Sequence, residues 1–127
     1  PPVPLVARAG PRAGPTAQDL AAWAAALAAT MTDRVGIVRT LAGLREALAT
    51  IDALAADAAA AWRDAPLLLP ARAELANGLC VARLIARSAL KNPGSRGAHY
   101  NADRPDRPAA AIDTVLTPDR RRPLRAA

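Results

Sequence analysis

The stretch that decides the fold runs Thr40-Leu41-Ala42-Gly43-Leu44-Arg45-Glu46-Ala47-Leu48-Ala49-Thr50-Ile51 and continues through Ala55, Ala58 and Trp62. Leu41, Leu44, Leu48, Ile51, Ala55, Ala58 and Trp62 follow each other at spacings of three and four without a break. That is one apolar seam on a helix, sustained over about three heptads. Thr40 supplies a capping hydroxyl at its start. Pro66 forces the chain out of the α region at its end. A helix is therefore predicted over 40–63, a rod of ~35 Å at ~1.5 Å per residue.

Working outward, the same spacing appears on both sides. Upstream, Leu20, Trp23, Leu27, Met31 and Val35 form one stripe, and Thr16 with Asp19 three residues on approximates a capping box. This predicts a helix over 17–35, ended by Gly36. Downstream, Pro70 suits a first helical turn. Leu75, Leu79, Ala82, Ile85 or Ala86, and Ala89 make a third stripe, widened by Val81 and Leu84. Asn92-Pro93-Gly94 closes a helix over 70–91. The stripe is wide enough to imply burial against two neighbours. Short connections make successive helices antiparallel. The expected fold is all-α, an antiparallel three-helix bundle of the spectrin-repeat kind, with Leu27, Met31, Leu44, Leu48, Ile51, Leu79 and Ile85 buried. No sheet is expected, since β-branched residues are few and scattered.

Composition sets the limits. The chain has 127 residues, enough for one domain, and 52% are hydrophobic while only 2% are aromatic. Alanine dominates the apolar fraction, which favours helix and makes the core thin. Residues 1–15, with Pro1, Pro2, Pro4, Pro11 and Pro15, read as a linker or extended arm. The bundle is assigned to 16–94, and 95–127 to a motif loop and an irregular Pro- and Arg-rich tail. The Pro-rich opening and a first residue other than methionine lead to the expectation of a piece of a longer protein. The formal net charge is +6, nearly all of it arginine. Arg104, Arg107, Arg120, Arg121, Arg122 and Arg125 are interleaved with Asp103, Asp106, Asp113 and Asp119, which reads as a solvated tail rather than a nucleic-acid patch. The single cysteine, Cys80, excludes an internal disulfide and is expected as a buried free thiol in a reducing cytoplasm. No apolar run reaches the ~20 residues that span a bilayer, so no membrane partner is expected.

The chain carries no catalytic set of its own. One His, one Cys and scattered carboxylates do not close a metal site. Gly36, Gly43, Gly94 and Gly97 are isolated, and none opens a helix after a strand, so a dinucleotide fingerprint is missing. His99 has the chemistry of a general base, but a lone loop histidine reads better as a hydrogen-bonding or interface residue. Arg96 is able to clamp an anion and reads as an interdomain or helix-end contact. Tyr100 reads as a rim contact. Arg39 follows the first helix, where it neutralises the C-terminal dipole or pairs across the bundle. Asn77, among apolar neighbours, is expected as a buried hydrogen-bonder. Trp23 and Trp62 read as core fillers.

Several ordered motifs make the chain recognisable between Gln18 and Pro105. Met31 leads into Val35-Gly36-Ile37-Val38-Arg39. A leucine-spaced helix with Leu44, Leu48, Ile51 and Leu54 follows. Asn77 precedes Ala82-Arg83-Leu84-Ile85. Last come Ser95-Arg96-Gly97-Ala98-His99-Tyr100 and Asp103-Arg104-Pro105. In this the chain resembles the C-terminal helical domain of the succinate dehydrogenase, fumarate reductase and L-aspartate oxidase flavoproteins, with the wording of Val35–Arg39 and a short tail closest to the L-aspartate oxidase branch. It departs from the family pattern at Gly94, usually glutamate, at Arg104, usually aromatic, and at Thr32, often tryptophan. The resemblance implies a parent that binds FAD on a flavin domain and carries a capping domain, both N-terminal to this chain. In the favoured branch that parent converts L-aspartate to iminoaspartate for quinolinate and NAD synthesis. Its catalytic and cofactor-binding residues would lie on those other domains and none on this chain. This domain would pack on them, with Arg39, Ser95, Arg96, His99 and Tyr100 as the contact. The succinate and fumarate enzymes, and a free-standing basic helical interaction module, remain as alternatives.

Overall fold

The computed structural model describes residues 14–63 and 70–117. Three helices, α1 (Ala17–Val35), α2 (Leu41–Ala61) and α3 (Pro70–Lys91), are accompanied by two short strands, β1 (Val38–Arg39) and β2 (Tyr100–Asn101). The predicted helix bounds hold to within two residues. The expected arm over 1–15 and the end of the tail fall largely or wholly outside the described residues.

Local chemistry starts each helix. At α1 the capping box is complete: the Thr16 hydroxyl accepts the Asp19 N–H, and the Asp19 carboxylate accepts the Thr16 N–H at 2.7 Å. The Thr16 hydroxyl also donates to that carboxylate, and together these bonds hold its pKa below the usual carboxylate range. At α2 the Thr40 hydroxyl accepts the Gly43 N–H at 3.0 Å.

Each helix touches the other two. The core is Val35, Leu44, Ala47, Ile51, Ala58, Trp62, Leu75, Leu79, Ala82, Ala86 and Ala89. Five of these eleven are alanine, so the helices close on small side chains and little area is buried per residue. Trp23 and Trp62 meet edge to face at 5.6 Å between centroids, and the Arg72 guanidinium stacks over the Trp62 ring at 5.2 Å. Exposed ion pairs, Arg34 with Glu46 and Arg83 with Asp52, tie α1 and α3 to α2; such pairs contribute little.

The structure corrects four expectations. Of the alternatives offered for the third stripe, Ala86 is buried and Ile85 is 41% exposed. Leu27, Met31 and Leu48 pack against the core but are only half-buried. Asn77 and Cys80 are exposed, not buried. One cause accounts for the α3 corrections. The helix turns its small register, Ala82, Ala86 and Ala89 with Leu75 and Leu79, toward α1 and α2, which rotates Asn77, Val81, Leu84 and Ile85 outward. Finally, β1 and β2 pair in parallel, Val38 with Tyr100 and Arg39 with Asn101, where no sheet was expected.

That pairing fixes the topology. β1 lies between α1 and α2, and β2 follows α3, so the end of α1, the start of α2 and the end of α3 gather at one end of an antiparallel bundle.

Candidate functional site

The motif residues converge on this end and build a cap over it. Asn101 is its centre and is fully buried. Its Nδ2 donates to the Pro93 carbonyl at 2.7 Å, and its Oδ1 accepts the Asp103 N–H at 3.1 Å. Its backbone N–H donates to the Ser95 hydroxyl at 2.9 Å. That hydroxyl, also buried, donates to the Arg104 carbonyl at 2.7 Å. A loop without helix or long strand thus satisfies its inward polar groups with two small side chains.

Arg96 and His99 exchange backbone hydrogen bonds at 2.8 and 3.0 Å around a two-residue turn. Gly97 stands first in that turn at φ +58°, the left-handed region that glycine enters without cost. The turn delivers Tyr100 into β2, where its N–H reaches the Ile37 carbonyl and the Ala102 N–H reaches the Arg39 carbonyl at 2.7 Å. Gly94 has a different reason. A Cβ there would lie 2.8 Å from the Pro108 ring, so the close approach of the returning tail excludes a side chain at this position.

Arg39 and His99 lock together. Arg39 Nε donates to the Val35 carbonyl at 3.1 Å and the Gly36 carbonyl at 2.7 Å, so it does cap the negative end of α1. Its Nη1 hydrogen-bonds His99 Nδ1. A guanidinium only donates, so Nδ1 accepts and the ring proton sits on Nε2. Nε2 then donates to the Asn92 carbonyl at 2.8 Å, at the end of α3. Both ring nitrogens are engaged, and through Arg39 and the Asn92 carbonyl the ring links the end of α1 to the end of α3.

The structure therefore separates the five motif residues by exposure. Ser95 faces inward, while Arg39 and His99 are half-buried and bonded to each other. Arg96 is half-buried with Nη2 donating to the Pro108 carbonyl at 2.6 Å. Tyr100 is 42% exposed, beside exposed Ile37 and Val38. An open cleft of about 540 Å³, lined by Asn92, Arg96, Asp103, Arg104, Pro108 and Ile112 among others, lies between the loop and the tail.

Two further residues carry the cap and were not singled out as site residues. Asn101 had no pattern to mark it. Asp103 reads from the sequence as part of a motif and of a solvated charged tail; its Oδ2 accepts the Leu41 N–H at 2.7 Å and so completes the start of α2. The N-termini of α1 and α2, the helix ends that attract anions, thus already hold the Asp19 and Asp103 carboxylates. Among the described residues there is no group of three or more His, Cys, Asp or Glu able to hold a metal ion. None of the described helices is long and apolar enough to cross a membrane.

Comparison with known proteins bears on the whole of this unit. The chain is 44% identical over 91 residues to an L-aspartate oxidase of Rhodospirillum rubrum, covering 72% of this chain and 28% of that protein. It is 37% identical over 92 residues to the L-aspartate oxidase of Acinetobacter baylyi, covering 72% of this chain and 17% of the relative. The Yersinia pestis L-aspartate oxidase is 41% identical over 91 residues, covering 69% of this chain and 16% of its own length. The chain thus spans well under a third of these relatives. No solved structure gives a significant match. Residues 24–117, from the middle of α1 through the cap, match the family described as the fumarate reductase flavoprotein C-terminal domain, and the chain belongs to that family.

Proposed function

We propose that this chain is the C-terminal helical domain of an FAD-dependent L-aspartate oxidase and has a structural role in it. The parent would transfer hydride from the α-carbon of L-aspartate to FAD and release iminoaspartate, the precursor of quinolinate in NAD synthesis. The observation that carries this reading is the set of L-aspartate oxidases, 37–44% identical over 69–72% of this chain. They favour this branch over the succinate and fumarate enzymes of the same family.

This chain would supply no catalytic group and no flavin contact. Support comes from the donor chemistry. FAD needs a free helix N-terminus behind a glycine-rich turn for its pyrophosphate. The carboxylates at the starts of α1 and α2 would instead repel a phosphate. That chemistry supports placing the cofactor on another part of the polypeptide. The single free thiol, Cys80, is compatible with a reducing cytoplasm, and no nucleic-acid or membrane partner is assigned.

The cap is proposed as the contact with the flavin and capping domains. Tyr100 and Arg96 would touch the neighbour, while Ser95, Arg39 and His99 hold the loop in the shape that presents them. Titrating the 127-residue chain with FAD while following flavin fluorescence tests the division of labour. No saturable quenching is expected; tight stoichiometric binding would place the cofactor on this chain and overturn the reading.

A further inference from the structure

Among the described residues, two buried side-chain nitrogens have no hydrogen-bond partner: Trp62 Nε1 and Arg72 Nη1. Both residues line one groove of about 380 Å³ between α2 and α3. Trp62 is fixed in place. It is 6% exposed, meets Trp23 edge to face, and carries the Arg72 guanidinium over its ring at 5.2 Å. That stacking brings the two unpartnered donors to the same end of the groove, where α2 closes and α3 starts. At the other end the charge is already matched, with Arg83 Nε 3.0 Å from Asp52 Oδ1. No ion pair among the described residues engages Arg72. Between the two ends the lining is apolar: Ile51, Ala55, Ala58, Ala59, Ala76 and Leu79. From Arg72 to Arg83 this strip runs ~16 Å along α3, at ~1.5 Å per residue.

Native proteins rarely leave buried donors unsatisfied. Water answers these two poorly. A buried water both donates and accepts, and takes about three hydrogen bonds; here it would meet two donors among apolar walls. A carboxylate only accepts, and it matches a guanidinium by charge as well. The alanine-walled strip beyond the donors then suits an unbranched hydrocarbon, and the groove's volume is that of a small-molecule site. We infer that the groove between α2 and α3 binds an unbranched aliphatic carboxylate, with its headgroup on Trp62 Nε1 and Arg72 Nη1 and its chain along Ala59, Ala55 and Ala76. Entry requires the half-buried Arg72 side chain to swing aside and close on the headgroup. This site is separate from the cap and independent of which reaction the parent performs.

Cys80 supplies the readout. It lines the same groove, is exposed, and is the only cysteine of the chain. Its alkylation by iodoacetamide should slow saturably as decanoate is added to the 127-residue chain. Acetate, the headgroup without a chain, should not protect at the same concentration, since each buried methylene contributes about fourfold in affinity. Decanol, the chain without the charge, should protect about tenfold less well, and so should decanoate with Arg72→Gln. Ala59→Leu, at an exposed helical position, should fill the groove and abolish protection while leaving helicity intact. Absence of saturable protection, or decanol acting as well as decanoate, overturns the inference. A folded Arg72→Gln chain with unchanged affinity also overturns it. Should Arg72→Gln fail to fold, Ala59→Leu decides, and retained protection there places the acid elsewhere and overturns the inference.

Discussion

The Asp103 carboxylate accepts the backbone N–H of Leu41 at 2.7 Å, across 62 residues of chain. A loop that follows α3 thereby caps the start of α2, and the cap and the bundle become one cooperative unit. Removing the carboxylate should destabilise the whole domain rather than the loop alone. Asp103→Ala is expected to cost about 1 kcal/mol, the usual size of a lost helix cap. In a urea melt this shows as a lower midpoint at unchanged slope. A midpoint within error of the parent chain would mean the loop and bundle fold separately.

Asn101 and Asn77 make a matched pair for substitution. Asn101 is buried and joins the Pro93 carbonyl to the Asp103 N–H; Asn77 is exposed on α3. Asn101→Ala strands two inward-facing backbone groups and should cost about 1–3 kcal/mol. Asn77→Ala should stay within about 0.5 kcal/mol. The reverse ranking in thermal melts would show that the polar centre of the domain is elsewhere.

The start of α1 should respond to acid. Thr16 lowers the pKa of Asp19 through its hydroxyl and its N–H. A carboxylate with a lowered folded pKa stabilises above its unfolded pKa, and that contribution is lost as pH falls through the folded value. The first turn of α1 should therefore be firm at neutral pH and fray in acid below the ordinary carboxylate range. Amide exchange at Asp19 and Leu20, followed against pH, should show the step, and Asp19→Ala should remove it. A step that persists in Asp19→Ala would place its cause in another group.

The helices were legible because each carries an unbroken three-four pattern and a start or stop residue: Thr16, Thr40 and Pro70, then Gly36, Pro66 and Pro93. The rotation of α3 was not. Its sequence holds two usable stripes, one of small residues through Ala82, Ala86 and Ala89, one of larger ones through Val81, Leu84 and Ile85. Which is buried depends on how closely the helices approach, a property of the assembled bundle. Leu48 illustrates the same limit on α2. It lies on the seam with Leu44, but Leu44 is fully buried and Leu48 is not. Leu44→Ala should cost about 2–5 kcal/mol, and Leu48→Ala clearly less; equal losses in denaturant melts would contradict the packing. The cap was visible as a motif and not as an architecture. Strands of two residues have no period to read, and Asn101 gains its role only when Pro93, Ser95 and Asp103 converge on it.

The central claim is that this domain completes an L-aspartate oxidase whose chemistry lies elsewhere on the polypeptide. Anaerobic mixing of the full-length flavoprotein with L-aspartate, and separately with succinate, tests it most directly, by following the flavin absorbance. The two substrates share both carboxylates and differ by the α-amino group. Bleaching by L-aspartate, with little by succinate, is the predicted result. Bleaching by succinate and not by L-aspartate would contradict it and move the chain to another branch of its family.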